Sequence, residues 1–177
     1  SGPVMPDFAI VFAATGHDET ERGSRQRITA FLVDVGMPGF DIDIGYNCAS
    51  YRGYLNFRLD FNDVRLSQTH ILGEEGRGLE LSGKWLGMGR IWVGATCCGK
   101  AERLFALASQ WAAERKQFGQ PIGKFQGTGF KLADMAVELR AADLLVNDAI
   151  AKANEGIMSD ADAAMVKLFC SEMLNRV

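Results

Sequence analysis

The apolar and polar positions follow one period in the first part of the chain and another in the rest. Asp7 to Ala14 is a compact apolar run, and Arg27 to Val35 is a second one, closed by the turn cluster Gly36-Met37-Pro38-Gly39. Between them, Thr15 to Gln26 is polar and rich in glycine and charge, and reads as a loop. A short strand around Phe40 to Ile44 follows. The clearest alternation is at Tyr54 to Phe61: Leu55, Phe57, Leu59 and Phe61 interleave with Asn56, Arg58 and Asp60, which predicts one buried and one wet face. Gln68 to Leu72 has the length of a final short strand. Strands joined by loops without intervening helices predict an antiparallel sheet or partial barrel.

At Gly73-Glu74-Glu75-Gly76-Arg77-Gly78 the pattern changes, and beyond it the only proline is Pro121. A first helix is predicted from about Leu79 to Gln117, with Gly87, Gly89, Gly94, Ala95 and Gly99 in its middle. Each glycine lowers helix stability relative to alanine but lets a neighbouring backbone or ligand approach closely. A second helix, about Phe125 to Asn154, carries Leu132, Met135, Ala136, Leu139, Val146, Ala149 and Ile150 at helical spacing. Glu155-Gly156 ends it, and Ser159 with Asp162 predicts a capping box for a third helix striped by Met165, Leu168, Phe169 and Met173. Short connections make these helices antiparallel neighbours. The fold class expected is α+β: residues 1–73 part of a β domain, residues 74–177 part of a helical bundle.

Composition excludes several classes. The 177 residues are 47% apolar and 23% charged, which suits a globular chain and not a disordered one. A net charge of −3 gives no electrostatic reason to expect nucleic acid or an anionic membrane as partner. The cysteines, Cys48, Cys97, Cys98 and Cys170, form no C-x-x-C pair, so neither a zinc site nor a disulfide framework is expected, and a reducing compartment suits them. His17 and His70 lie far apart in loop-like surroundings and are expected at the surface. The chain opens at Ser1-Gly2-Pro3 and stops at Asn175-Arg176-Val177 in mid-helical pattern, as a piece of a longer protein would. Self-contained catalytic signatures are missing: there is no G-x-S-x-G, H-E-x-x-H or P-loop, and Gly76-x-Gly78 and Gly87-x-Gly89 lack a third glycine.

Chemistry concentrates at the corner between the first two helices, Glu114-Arg115-Lys116-Gln117-Phe118-Gly119-Gln120-Pro121-Ile122-Gly123-Lys124-Phe125-Gln126. From the residues alone, Arg115 and Lys116 close the last turn of a helix, Gly119 serves its C-cap region and Pro121 stops further winding. The same residues fit the R-x-x-F-G-x-x-(I/L)-x-x-(F/L/H)-Q signature, and here the chain resembles the acyl-CoA dehydrogenases. The resemblance extends to Ile71-Leu72-Gly73-Glu74-Glu75-Gly76-Arg77-Gly78, similar to the family's passage from β domain to helical domain. It also takes in Arg52-Gly53 with Phe61-Asn62-Asp63-Val64-Arg65, where Tyr54 replaces a usual serine, and Met88-Gly89-Arg90, similar to the end of a D-x-G-R segment in which Gly87 replaces the aspartate.

The resemblance implies FAD-dependent conversion of an acyl-CoA to its 2,3-enoyl-CoA by a longer enzyme, with electrons passed to an electron-transfer flavoprotein and assembly as a homodimer or homotetramer. It implies FAD contacts by Arg115, Phe118 and Gln126, and by Ser1 at the end of a flavin-contacting motif. It places Arg90 and Gly87 by the acyl-CoA, although Arg90 as an ion-pair partner inside the bundle is the plainer reading of that residue. It implies no catalytic residue in this stretch, the glutamate base being expected beyond Val177, and a location in bacterial cytoplasm or the mitochondrial matrix. A related flavin oxidase or monooxygenase, or a helical assembly module without a site of its own, are the alternatives. A continuous helix from Arg90 to Arg115 spans about 37 Å at ~1.5 Å per residue, so the two arginines cannot serve one atom of a small ligand.

Overall fold

The computed structural model describes every residue except Ser1, Pro3, Arg22, Ser50 and Tyr51. The chain divides into two compact units, Ser1–Gly83 and Lys84–Val177. As the sequence leads one to expect, antiparallel strands come first and helices follow.

The first unit is built on two antiparallel ribbons. Strands β1 (Phe8–Thr20) and β2 (Gly23–Asp34) pair from Phe8↔Asp34 to Thr20↔Gly23, with a register shift between Ala14 and Gly16. The segment Thr15 to Gln26, expected as a loop, is therefore the far end of a long hairpin. From His17 onward its described side chains are exposed, so it lacks the alternation that betrays a half-buried strand. Strands β3 (Phe40–Ile44) and β4 (Phe57–Phe61) form the second ribbon, with Phe40 opposite Phe61 and the two rings stacked at 4.7 Å. The core of this unit gathers Ala9, Val33 and Phe40, with Val11, Phe31, Met37, Ile42, Val64 and Leu66 against it. The apolar face expected on β4 is only half covered: Leu59 and Phe61 remain exposed.

Gln68–His70 is a single 3-10 turn and not a strand, because Ser67 and His70 cap each other: the Ser67 backbone N–H donates to His70 Nδ1 at 3.1 Å. The glycine-rich passage that follows is docked on β2. Leu72 N–H donates to Ala30 O at 2.8 Å, and Gly76 N–H donates to the fully buried Thr29 Oγ1 at 2.8 Å. A β-carbon at Gly78 would stand 2.8 Å from Ala30 N, so only glycine lets the start of the long helix lie this close to the strand.

The helices are α1 (Gly78–Glu114), α2 (Gln126–Asn154) and α3 (Asp160–Arg176). In the second unit, Ile91, Cys97, Cys98 and Ala101 of α1 pack with Ala142, Val146 and Ala149 of α2 and with Ala163, Val166, Cys170 and Met173 of α3. The close approach that the glycines of α1 predict is found at Gly94, where a β-carbon would overlap Val166 Cγ1. Arg176 pairs with Glu138 at 2.7 Å near one end of the α2–α3 hairpin, and Lys152 pairs with Asp162 at 2.8 Å near the other, which makes these helices antiparallel. The capping box is formed: Asp162 N–H donates to Ser159 Oγ at 3.2 Å, and Ser159 N–H donates to Asp162 Oδ2 at 2.9 Å. Among the described residues, no helix is long and apolar enough to cross a membrane.

Candidate functional site

At the corner between α1 and α2 the helix stops earlier than its sequence suggests. α1 ends at Glu114, so Arg115 and Lys116 do not lie in its last turn. Strands β5 (Lys116–Gln117) and β6 (Gln120–Pro121) form a minimal hairpin, with Lys116 opposite Pro121 and Gln117 opposite Gln120. Phe118 and Gly119 both adopt positive φ, 51° and 80°, as a type I′ turn requires. Gly119 is thus a hairpin residue and not a helix cap. Arg115 is held by its backbone, its N–H donating to Trp111 O at 2.9 Å and its carbonyl accepting from Ile122 N–H at 2.8 Å.

The side chains at this corner point outward. Phe118 is 94% exposed, and its ring stands perpendicular to that of Phe125, centroids 6.2 Å apart. Arg115 and Gln126 are exposed, and among the described residues no hydrogen bond or ion pair involves either side chain. The guanidinium does not cap α1. Gln126 opens α2, where the N-cap Phe125 supplies no side-chain bond. A fork of N–H donors, an amide and an aromatic face therefore stand close in sequence on a hydrogen-bonded corner, and among the described residues the chain's own groups leave the fork and the amide uncommitted. An anionic group with two oxygens to present, a phosphate or a carboxylate, brought from outside matches that donor set. Ser1, the remaining candidate flavin contact, lies outside the described residues.

A second set lies toward the other end of α1. Arg90 is half-buried, with Nη1 3.8 Å from Asp160 Oδ1 at the start of α3. Gly87, one turn earlier, is buried, and a β-carbon there would stand 3.3 Å from Met158 Cε. Gly89 faces open space instead. The helix keeps this set apart from the Arg115 corner, as its length requires. Asp160 reads from the sequence only as part of an acidic cap on α3, and spacing links neither it nor Met158 to α1, which they reach through the α2–α3 turn.

Two of the cysteines meet inside the bundle. Cys98 Sγ lies 3.9 Å from Cys170 Sγ, and both are buried thiols. Burial pushes the Cys170 thiol up to about 12, and it raises Cys98 in the same direction. Among the described residues, no group of His, Cys, Asp or Glu could hold a metal ion.

Residues 76–177 match the family model of the acyl-CoA dehydrogenase C-terminal domain. The chain is 38% identical over 171 residues to the short-chain-specific acyl-CoA dehydrogenase of Megasphaera elsdenii, covering 97% of this chain and 44% of that protein. It superposes on the butyryl-CoA dehydrogenase structure from Megasphaera elsdenii with a TM-score of 0.83 at 38% identity, covering 94% of this chain and 43% of that one. A structure described as PigA with FAD and proline is also similar, with a TM-score of 0.86 at 27% identity over 98% of this chain and 44% of that one. The chain thus spans less than half the length of these relatives. With the family model matched over more than half of its residues, the chain belongs to the acyl-CoA dehydrogenase family.

Proposed function

We propose that these residues form part of an FAD-dependent enzyme that dehydrogenates an acyl-CoA thioester between its α and β carbons. The observation that carries this reading is the Arg115 corner: an exposed guanidinium and an exposed amide without partners of their own, beside an aromatic ring held out on a type I′ turn. These groups fit FAD. Arg115 would pair with its pyrophosphate oxygens, Gln126 would add a directed hydrogen bond, and Phe118 would cover an apolar edge. The bound flavin supplies the acceptor for the β-hydride.

Arg90 and Gly87, a helix length from that corner, cannot share the same part of one FAD. Arg90 would serve the acyl-CoA instead, its N–H donors facing the thioester's polar arm. Separation of the two sets suits a cofactor shared across subunits, with the Arg115 corner serving a flavin held mainly by a second copy. The apolar side chains left exposed on the helices, among them Trp85, Trp92, Trp111, Phe130 and Leu168, support a homodimer or homotetramer. Removal of the α-proton requires a carboxylate base, and position 89, which some family patterns use for it, is glycine. The base therefore comes from outside these residues. Passage of electrons to an electron-transfer flavoprotein completes the reading and rests on family membership.

The test is made on the full-length protein. Purified enzyme should show a flavin spectrum that bleaches on anaerobic addition of butyryl-CoA, with crotonyl-CoA as product. Protein that neither retains FAD nor takes it up on reconstitution would overturn the reading.

A further inference from the structure

Resting on the reading of Arg90 as a substrate contact, we propose that Asp160, at the start of α3, is the positioning residue that aims Arg90. The starting point is the neighbourhood of Arg90 on its own helix. The positions three and four residues away are Leu86, Gly87, Val93 and Gly94, so α1 offers no carboxylate within a turn of the guanidinium. Asp160 is its ion-pair partner among the described residues, at 3.8 Å. At that distance the carboxylate orients the cation without taking up its N–H donors, which stay available to a ligand. The Arg90 side chain is 40% exposed and that of Asp160 92%, so the pair stands at an open edge where a ligand can reach it.

A second contact, from the α2–α3 turn, falls on the same stretch of α1. Met158 closes over Gly87, its Cε 3.3 Å from where a β-carbon would stand. The turn that carries both residues is itself fixed. Ile157 N–H donates to Lys152 O at 3.0 Å, and Lys152 Nζ bridges Asp148 and Asp162 at 2.8 Å each. The capping box is made by Ser159 and Asp162, and Asp160 adds to the start of α3 only a first-turn negative charge. A carboxylate that is neither buried nor capping, held on a braced turn against an arginine, has the placement of a group that sets the arginine's direction.

The test uses the full-length, flavin-loaded enzyme and crotonyl-CoA, whose binding is read from the perturbed flavin spectrum. Asp160→Asn should weaken crotonyl-CoA about three- to fivefold, the size expected of an exposed ion pair. It should raise KM for butyryl-CoA by a similar factor while kcat stays within about twofold. Asp160→Glu should retain wild-type binding. Unchanged crotonyl-CoA affinity in Asp160→Asn, beside a wild-type enzyme that binds normally, overturns the proposal and leaves the substrate reading of Arg90 standing. Failure of that reading looks different: Arg90→Gln would bind crotonyl-CoA as the wild type does, and both would fall.

Discussion

Gly94 lies so close to Val166 that a β-carbon built on the glycine would overlap the valine's Cγ1. Cys170 Sγ and Val146 Cγ2 stand 3.5 Å from the same point, so one position on α1 faces both other helices of the bundle. Gly94→Ala therefore sets two effects against each other. Helix propensity favours alanine by about 1 kcal/mol. Overpacking a filled core costs about 1–3 kcal/mol. Net destabilisation of about 1 kcal/mol is expected in urea denaturation, and Val166→Ala combined with Gly94→Ala should recover most of the loss caused by Gly94→Ala. Additive losses in the double variant would show that the two sites do not share the space.

The bundle should also carry an acid-sensitive joint. Hydrogen bonds from Lys152 and Ser159 hold the Asp162 carboxyl well below the usual carboxylate range. A depressed folded-state value stabilises the fold above the unfolded pKa near ~3.9, and the contribution is lost as pH falls through the folded value. Lys152 is shifted upward chiefly by its hydrogen bonds to Asp148 and Asp162, so its share persists at neutral pH and fades only as pH rises beyond the usual lysine range. Asp162→Asn should lower stability at pH 7, and the gap should narrow steadily as pH falls from about 4 to 2. Chemical denaturation of wild type and variant across that interval measures the difference. A constant gap at every pH would assign the loss to the cap geometry and not to charge.

How far the sequence discloses this structure depends on whether each signal is local. The start of α3 is legible because Ser159 and Asp162 sit at the spacing of a capping box, and both hydrogen bonds form. The small residues of α1 announce close packing, and Gly94 delivers it, whereas Gly83, Gly89 and Gly99 face open space and show that composition does not say which side is crowded. The outer half of the β1–β2 hairpin stays hidden because Gly16 to Arg27 is polar throughout. The corner hairpin stays hidden because its strands have two residues each and its turn is Phe-Gly, where the familiar signal is Asn-Gly. At the candidate site, Arg115, Phe118 and Gln126 are readable from one contiguous motif. Asp160 and Met158 are not, since nothing in their own segment points to Arg90 and Gly87 on α1.

Phe118 separates folding from function at that corner. An aromatic residue at φ 51°, 94% exposed, is an unfavourable choice for a turn, costing about 1–2 kcal/mol relative to residues that tolerate left-handed backbone. The edge contact with Phe125 returns about 0.5–1.5 kcal/mol. Phe118→Asn should therefore leave apoprotein stability within about 1 kcal/mol of wild type, while flavin retention in the full-length enzyme falls. Thermal denaturation of the apoprotein and FAD release on dilution give the two readouts. Unaltered retention would mean that the ring serves only the corner.

Arg115→Lys tests the flavin assignment most directly. The guanidinium has no partner among the described residues and does not cap α1, whose end is closed by the backbone bond from Arg115 N–H to Trp111 O. Helix-dipole effects are about 0.3–1 kcal/mol and make no distinction between a fork and a point charge, so a structural role predicts that lysine substitutes almost freely. Pairing with pyrophosphate does make that distinction, because a lysine cannot present two parallel donors. Charge-assisted hydrogen bonds contribute roughly 1.5–3 kcal/mol, so losing one predicts about 10- to 100-fold weaker FAD binding. The measurement is the FAD dissociation constant of the full-length Arg115→Lys enzyme, with apoprotein thermal stability as the control. Weakened binding with an unchanged melting point is the expected result. Unchanged affinity would remove the guanidinium from the cofactor and leave it as a solvated charge at the end of a helix.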